Sequence, residues 1–217
     1  RRCQRQWWQQ RPDPRAVRGC AAGGPANGVG RLVRRRHMGF DLGEGAAAFV
    51  LESESHARRR GARTLGQLTG YGISTDAVHI TNPDPQGQIR AMKMALADAA
   101  IDPCEIGYVN AHGTATLAGD LAESTSIDEV FAGRQVPVSS TKALHGHLLG
   151  AGGALELLIT LQALRTQRLP VAVNLDEPDP LCHLNLVRDP VPSQTLRHGM
   201  SNSFAFGGTN AVLIVSV

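Results

Sequence analysis

Two histidines, each placed just after a short β-branched run, are the residues of this sequence best suited to chemistry. His112 follows the run 108–109. His147 follows the run 136–138, and Lys142 precedes it by five residues. A strand end followed by a turn and a helix is where open α/β sheets place reactive groups. Because the proton state and donor capacity of histidine are easily set near neutral pH, the two turns predict a paired site.

The elements that must position these two turns alternate between strand and helix patterns. Besides the two short runs, strand patterns cover residues 45–51, 64–71, 184–187, 198–204 and 209–217. Helical patterns cover residues 52–60, 88–100, 121–131 and 148–164. Strands that alternate with helices predict an α/β layered domain, and the last two strands predict a central hairpin.

The first 36 residues differ from the rest of the chain in charge and in pattern. They hold ten arginines and one acid, a net charge of +9, whereas the remainder holds 12 basic and 18 acidic residues, a net charge of −6. They also lack the periodicity of a helix or strand. Three interpretations stay open: an out-of-frame translation joined to a real gene, a disordered tail, or a basic arm that binds nucleic acid. We predict a domain over residues 37–217 and expect no nucleic-acid partner.

Composition excludes several other classes of protein. A chain of 217 residues is long enough for one good core. Its four cysteines show no paired spacing, which favours reduced thiols and a cytoplasmic protein. The longest apolar stretch, around residues 154–164, is too short to span a bilayer, so we expect no membrane partner. His145 and His147 together with Cys182 and His183 fit no standard zinc spacing, so we expect no metal.

Four segments of the sequence resemble one known family. They are VNAHGTAT at 109–116, SSTK at 139–142 with His147 five residues later, NSFAFGGTN at 202–210, and GFDLGEGAA at 39–47. Together, and in their order along the chain, they resemble the β-ketoacyl-acyl-carrier-protein synthases of the thiolase-like superfamily. The resemblance covers the C-terminal half of such an enzyme. It implies that half of a thiolase-like α/β layered fold, with a mixed five-stranded sheet and helices on its faces.

The resemblance implies an acyltransferase of fatty acid or polyketide synthesis. The family reaction is a decarboxylative Claisen condensation of an acyl thioester with malonyl-acyl carrier protein. His112 and His147 are expected to donate hydrogen bonds to the malonyl thioester carbonyl, and Lys142 to support them. Two histidines favour the elongating class. The expected partners are acyl carrier protein, malonyl and acyl thioesters and a second copy of the enzyme, with no cofactor beyond the phosphopantetheine that the carrier brings.

Other residues receive roles only through the resemblance. Glu123 is the expected acid partner of Lys142, and Asp120 and Glu156 are expected in supporting roles. Threonines are expected at the pantetheine arm, and the aromatic and glycine residues after them at the acyl pocket. These substrate-binding residues are Thr114, Thr116, Phe204, Phe206, Gly207 and Gly208.

The sequence also departs from the family pattern. The cysteine nucleophile motif is absent, and Cys20 does not replace it because it lies only 92 residues before His112. His37 and Met38 replace an Arg-Asp pair, and Ala205 replaces a glycine. We therefore expect the chain alone to be inactive in condensation. The alternative is a truncated, non-catalytic synthase-like domain that pairs with another chain or docks the carrier protein.

Overall fold

Six strands form one mixed sheet in the computed structural model, which describes residues 41–190 and 195–217. The strand order is β1-β6-β5-β2-β3-β4. The strands are β1 Gln67–Thr75, β2 Ile106–Asn110, β3 Pro137–Ser139, β4 Asn185–Leu186, β5 His198–Ala205 and β6 Thr209–Ser216. The predicted N-terminal region 1–36 lies outside the described residues.

Five helices accompany the strands in the part of the chain that the structure describes. They are α1 Glu54–Arg59, α2 Pro85–Ala99, α3 Leu117–Val130, α4 Lys142–His145 and α5 Gly152–Thr166. Helix α2 begins with Pro85 at its first position, and the Asp84 side chain accepts a hydrogen bond from the Gln86 backbone. It ends where Ala100 adopts a left-handed conformation.

The central hairpin joins an antiparallel half of the sheet to a parallel half. Strands β5 and β6 pair in full register from His198 opposite Ser216 to Ala205 opposite Thr209, which confirms the predicted hairpin. Strand β1 pairs antiparallel with β6 at one edge, and it covers Gln67–Thr75 rather than the predicted 64–71. Strands β5, β2, β3 and β4 run parallel to one another. The carboxyl ends of β2 and β3 therefore lie side by side.

The core lies on both faces of the sheet. On one face, helices α2 and α3 bury side chains such as Met92 and Ile127 against Val109 and Met200 of the strands. On the other face, Leu157 and Leu164 of α5 pack against Val215 and Leu196. Alternate residues of β6 point to opposite faces, so Ile214 joins the first cluster and Val215 the second.

Several expected elements differ in the structure. The predicted buried strand at 45–51 is wrong: the segment has no regular structure, and Leu51 is 72% exposed. The sheet has six strands rather than five. Helix α3 begins at Leu117, four residues before the predicted start, and the helix predicted to open after His147 begins only at Gly152, after a 3-10 turn at Leu149–Ala151.

Candidate active site

The two histidine turns meet at one edge of the sheet. Asn110 and Ser139, the last residues of β2 and β3, are paired neighbours, so both chains leave the sheet at the same edge. The ring centroids of His112 and His147 lie 5.5 Å apart with the rings nearly perpendicular. The ring of Phe204, from β5, lies 6.2 Å from the His112 ring. The structure thus brings both predicted histidines and a predicted acyl-pocket residue together.

The His112 turn is held by a buried carboxylate. Glu123 of α3 accepts hydrogen bonds from the backbone N–H groups of His112 (2.9 Å) and Gly113 (2.8 Å). The Nδ2 atom of Asn202 donates a third hydrogen bond to the same carboxylate, at 3.1 Å. Burial raises the pKa of Glu123 to about 7, although these three donors oppose that shift. The backbone of the His112 turn is therefore fixed to α3.

The His112 ring is kept in its neutral form. Burial holds the pKa of His112 well below its usual range, and the nearby charges of Lys142 and His147 lower it further. Its Nδ1 atom is buried without a hydrogen-bond partner. A neutral imidazole can donate one hydrogen bond without carrying a charge.

The His147 ring has a defined tautomer. The backbone N–H of Leu149 donates to its Nδ1 atom at 3.3 Å, so in the neutral ring the proton lies on Nε2. Burial lowers the pKa of His147, and the Lys142 cation lowers it further. The ring is half-buried, so part of it is accessible to a molecule in the site.

Lys142 forms a buried ion pair with Glu156 rather than with Glu123. The side chains of Lys142 and Glu156 are 1% and 2% exposed, and the Nζ atom donates to the Glu156 carboxylate. Burial raises the pKa of Glu156, whereas Lys142 opposes that shift. The expected pairing of Lys142 with Glu123 is wrong, because Glu123 is occupied by the His112 turn. The ion pair joins α4 to α5.

The remaining predicted residues lie on the segments that border the two turns. Thr114 and Thr116 form a hydrogen bond between their hydroxyl oxygens at 3.0 Å, just before α3, and Asp120 is fully buried in the first turn of that helix. Phe206 is 71% exposed in the turn between β5 and β6. Gly207 and Gly208 follow it with φ values of +78° and +74°. These values favour glycine.

The turn that carries Phe206 contacts a loop that the sequence did not indicate. The Gly207 N–H donates to the Ile80 carbonyl at 2.8 Å, and the Asp76 N–H donates to the Gly208 carbonyl at 2.8 Å. The Asp76 side chain also accepts from Asn210 at 2.6 Å. No local pattern signals this contact, since it joins residues more than 120 positions apart.

His145 is a further residue whose place the sequence did not indicate. Its Nδ1 atom lies 2.7 Å from the Gly146 carbonyl oxygen, and its Nε2 atom lies 3.1 Å from the Thr141 hydroxyl. Nδ1 must donate to the carbonyl, so Nε2 accepts from Thr141. Burial lowers the pKa of His145 to about 4. Across residues 41–190 and 195–217, no group of three or more His, Cys, Asp or Glu residues is placed to hold a metal ion.

The arrangement can stabilise a negative charge that develops on an oxygen. Two neutral imidazoles lie together at one sheet edge, and burial together with the buried Lys142 cation lowers the pKa of both. Preorganised donors aimed at a developing oxyanion are usually the largest catalytic contribution.

No helix in the described part of the chain is long and apolar enough to cross a membrane.

Comparisons with known proteins point in the same direction. Residues 65–176 match the family model "Beta-ketoacyl synthase, C-terminal domain". The chain is 44% identical over 182 residues to 3-oxoacyl-[acyl-carrier-protein] synthase 2 of Coxiella burnetii, a match that covers 82% of the chain and 44% of that protein. The chain thus spans a little under half the length of that curated relative.

Solved structures of ketosynthases also match this chain. The ishigamide ketosynthase/chain length factor superimposes with a TM-score of 0.83 at 37% identity, over 92% of this chain and 49% of that one. A type II polyketide synthase acyl-carrier protein in complex with its ketosynthase, AntDE:AntF, matches with a TM-score of 0.73 at 31% identity, over 76% of this chain and 42% of that one.

Proposed function

The chain belongs to the β-ketoacyl synthase family through its C-terminal domain, and we propose that it supplies the oxyanion-stabilising half of a 3-oxoacyl-acyl carrier protein synthase. One observation carries this proposal. The rings of His112 and His147 lie 5.5 Å apart and are both kept neutral by burial. Two neutral donors whose rings lie this close together suit the carbonyl oxygen of a malonyl thioester.

The proposed step is decarboxylation of the malonyl group. The bond between the carboxylate carbon and the methylene carbon breaks, carbon dioxide leaves, and the electron pair passes into an enolate. The enolate oxygen carries the charge that His112 and His147 stabilise by hydrogen bonds. In condensation the enolate attacks an acyl thioester, whereas without an acyl group it takes a proton from water and gives an acetyl thioester.

Condensation needs an acyl group held on a cysteine. Of the four cysteines in the 217 residues, none lies in the family's nucleophile motif. Cys104 is exposed. Burial raises the pKa of the Cys182 thiol, which disfavours the thiolate. We therefore propose that the 217-residue chain by itself decarboxylates malonyl thioester slowly and forms no 3-oxoacyl product.

The proposed partner is an acyl carrier protein. The relative from Coxiella burnetii is named for that carrier, and AntDE:AntF is a complex of a ketosynthase with one. The phosphopantetheine arm would pass Thr114 and Thr116, whose hydroxyl groups lie on the segment that follows His112. A second copy of the enzyme is the other proposed partner.

The proposal is tested by incubating the chain with malonyl-carrier protein and following the carrier by mass spectrometry. The chain should convert malonyl-carrier to acetyl-carrier. His112→Gln and His147→Gln should each slow the reaction by about 100-fold, because each removes one oxyanion donor. His56→Gln, an exposed control on α1, should not change the rate. Equal rates in all four proteins, or a rate no higher than that of the carrier alone, would contradict the proposed function.

A non-catalytic docking module is the second candidate. Leu42, Leu144 and Leu149 are 66%, 48% and 59% exposed near the His147 turn, and such apolar side chains suit a protein partner. Under this candidate the chain binds the carrier protein but leaves its malonyl group intact. The same mass spectra, combined with a binding measurement, separate the two functions.

A further inference from the structure

The backbone segment 41–43 pairs with the turn that carries His147. The His147 N–H donates to the Asp41 carbonyl at 2.9 Å, and the Gly43 N–H donates to the His147 carbonyl at 3.1 Å. Leu42 and His147 thereby form a parallel bridge between segments more than 100 residues apart. Both backbone polar groups of His147 are used by this bridge. The direction in which its side chain leaves the backbone is therefore set by the segment 41–43.

Two glycines allow the bridge to form. A Cβ atom at Gly43 would overlap the carbonyl oxygen of His145 and would lie 3.1 Å from the Gly146 Cα atom. A Cβ atom at Gly146 would lie 2.7 Å from the Gly43 Cα atom. These neighbours are backbone atoms, so they cannot rotate away as a side chain could. Any side chain at Gly43 must push the two segments apart.

The same turn is also held by the ring of His145. Its ring accepts from the Thr141 hydroxyl and donates to the Gly146 carbonyl. Gly146 has a φ of +77°, in the left-handed region that favours glycine. The turn is thus held both by the His145 ring and by the segment 41–43. It cannot move away from an enlarged Gly43 without breaking these contacts.

We propose that Gly43 is a positioning residue for His147. By letting the segment 41–43 approach, it sets the backbone of His147 and with it the Leu149 N–H to Nδ1 hydrogen bond that leaves the proton on Nε2. This inference rests on the proposed function only for its effect on catalysis. Its effect on the tautomer of His147 does not depend on any activity.

Nitrogen NMR of the 217-residue chain labelled with 15N-histidine tests the proposal. In the wild-type chain His147 should show a single tautomer with the proton on Nε2. Gly43→Ala should convert this to a mixture of tautomers and reduce malonyl decarboxylation about 10-fold, while His112 keeps its signals. Gly150→Ala is the matched control, because a Cβ atom there meets nothing within 4 Å. It should leave both histidines unchanged.

Two results would overturn the proposal. One is a Gly43→Ala chain whose His147 keeps the wild-type tautomer. The other is a change at His112 as large as that at His147, which would indicate general loosening. If Gly43→Ala does not fold, hydrogen exchange of the wild-type chain decides: the His147 and Gly43 amides must be protected, and unprotected amides would refute the bridge. If the tautomer changes in Gly43→Ala but the wild-type chain itself shows no measurable decarboxylation, the bridge is supported and the proposed function is contradicted.

Discussion

The turns that carry His112 and His147 leave neighbouring strands at the same sheet edge, but they are held by different kinds of group. The His112 backbone donates to the carboxylate of Glu123, which lies only 11 residues further along the chain. The His147 backbone pairs with backbone groups of Asp41 and Gly43, more than 100 residues away. One turn depends on a buried charge, and the other on a close approach of two backbones.

This difference predicts different sensitivities. The three hydrogen bonds that the Glu123 carboxylate accepts are lost in any substitution that removes its oxygens. A backbone bridge is insensitive to most side chains of the bridging residues, but it fails where a Cβ atom enters the contact. The His112 turn can therefore be tested through an acid and the His147 turn through a glycine. Within the described residues, a buried ion pair of Lys142 and Glu156 also lies on the His147 side.

The largest effect on stability should come from Lys142→Met. This change leaves the Glu156 carboxylate buried without its cation, and breaking a buried pair in this way typically costs about 3–5 kcal/mol. The free energy of unfolding, measured with urea, should fall by that amount near pH 8. The loss should be smaller near pH 5, because a Glu156 whose pKa burial has raised can then bind a proton.

The double variant Lys142→Met/Glu156→Leu provides the control. Replacement of a whole buried pair by apolar groups is often neutral, so most of the lost stability should return. If the double variant is as unstable as Lys142→Met, the ion pair is not the source of the loss.

A smaller effect, confined to the His112 turn, is expected from Glu123→Gln. The amide has one acceptor oxygen in place of two, so a backbone N–H of His112 or Gly113 loses its partner at a cost of about 2 kcal/mol. Hydrogen exchange should show faster exchange at these two amides and unchanged protection at His147. Faster exchange at His147 as well would show that the two turns are not held independently.

The sequence predicted the elements whose patterns are local. The thiolase-like α/β class is confirmed, as is the hairpin of β5 and β6, in which two glycines precede a β6 strand rich in β-branched residues. Helix α2 was predicted from the spacing of Ile89, Met92 and Leu96, which the structure buries on one face. The apolar run at 45–51 was misread because composition does not reveal whether a strand has a neighbour to pair with.

In the site, the sequence indicated the residues better than their contacts. The motifs led to both histidines, and the structure brings their rings together. The partner of Lys142 was wrong because Glu123 and Glu156 are both acids in helices that follow a turn, and spacing does not show which one faces the lysine. The contact of Gly43 with Gly146 could not be predicted, since it joins distant segments through the absence of side chains.

His145 and Glu123, which lie beside the two turns, should respond in opposite ways to acid. His145, on the His147 side, has a pKa lowered from 6.5 to about 4, so the unfolded chain binds its proton first as pH falls. The free energy of unfolding should therefore decrease from pH 6.5 to pH 4, by about 2 kcal/mol after allowance for solvent screening. Glu123 has a pKa raised from 4.5 to about 7, so it stabilises the native state as pH falls through that range.

Urea unfolding as a function of pH separates the two contributions. His145→Gln should reduce the loss of stability on the acid side, to which the lowered pKa values of His112 and His147 also contribute, and Glu123→Gln should remove the gain. A wild-type pH profile that neither substitution changes would show that these residues do not control the pH response.

The smallest effect should come from Thr141→Val, which removes the hydroxyl donor to His145 Nε2 and keeps the volume of the side chain. Because His145 is only partly buried, water can replace the lost partner, so the free energy of unfolding should fall by about 1 kcal/mol or less. His145 still donates to the Gly146 carbonyl, and the segment 41–43 still pairs with His147. The nitrogen NMR signals of His147 should therefore keep the wild-type tautomer, unlike those of Gly43→Ala. If Thr141→Val disturbs His147 more than Gly43→Ala does, the ring of His145 holds the turn and the backbone bridge is secondary.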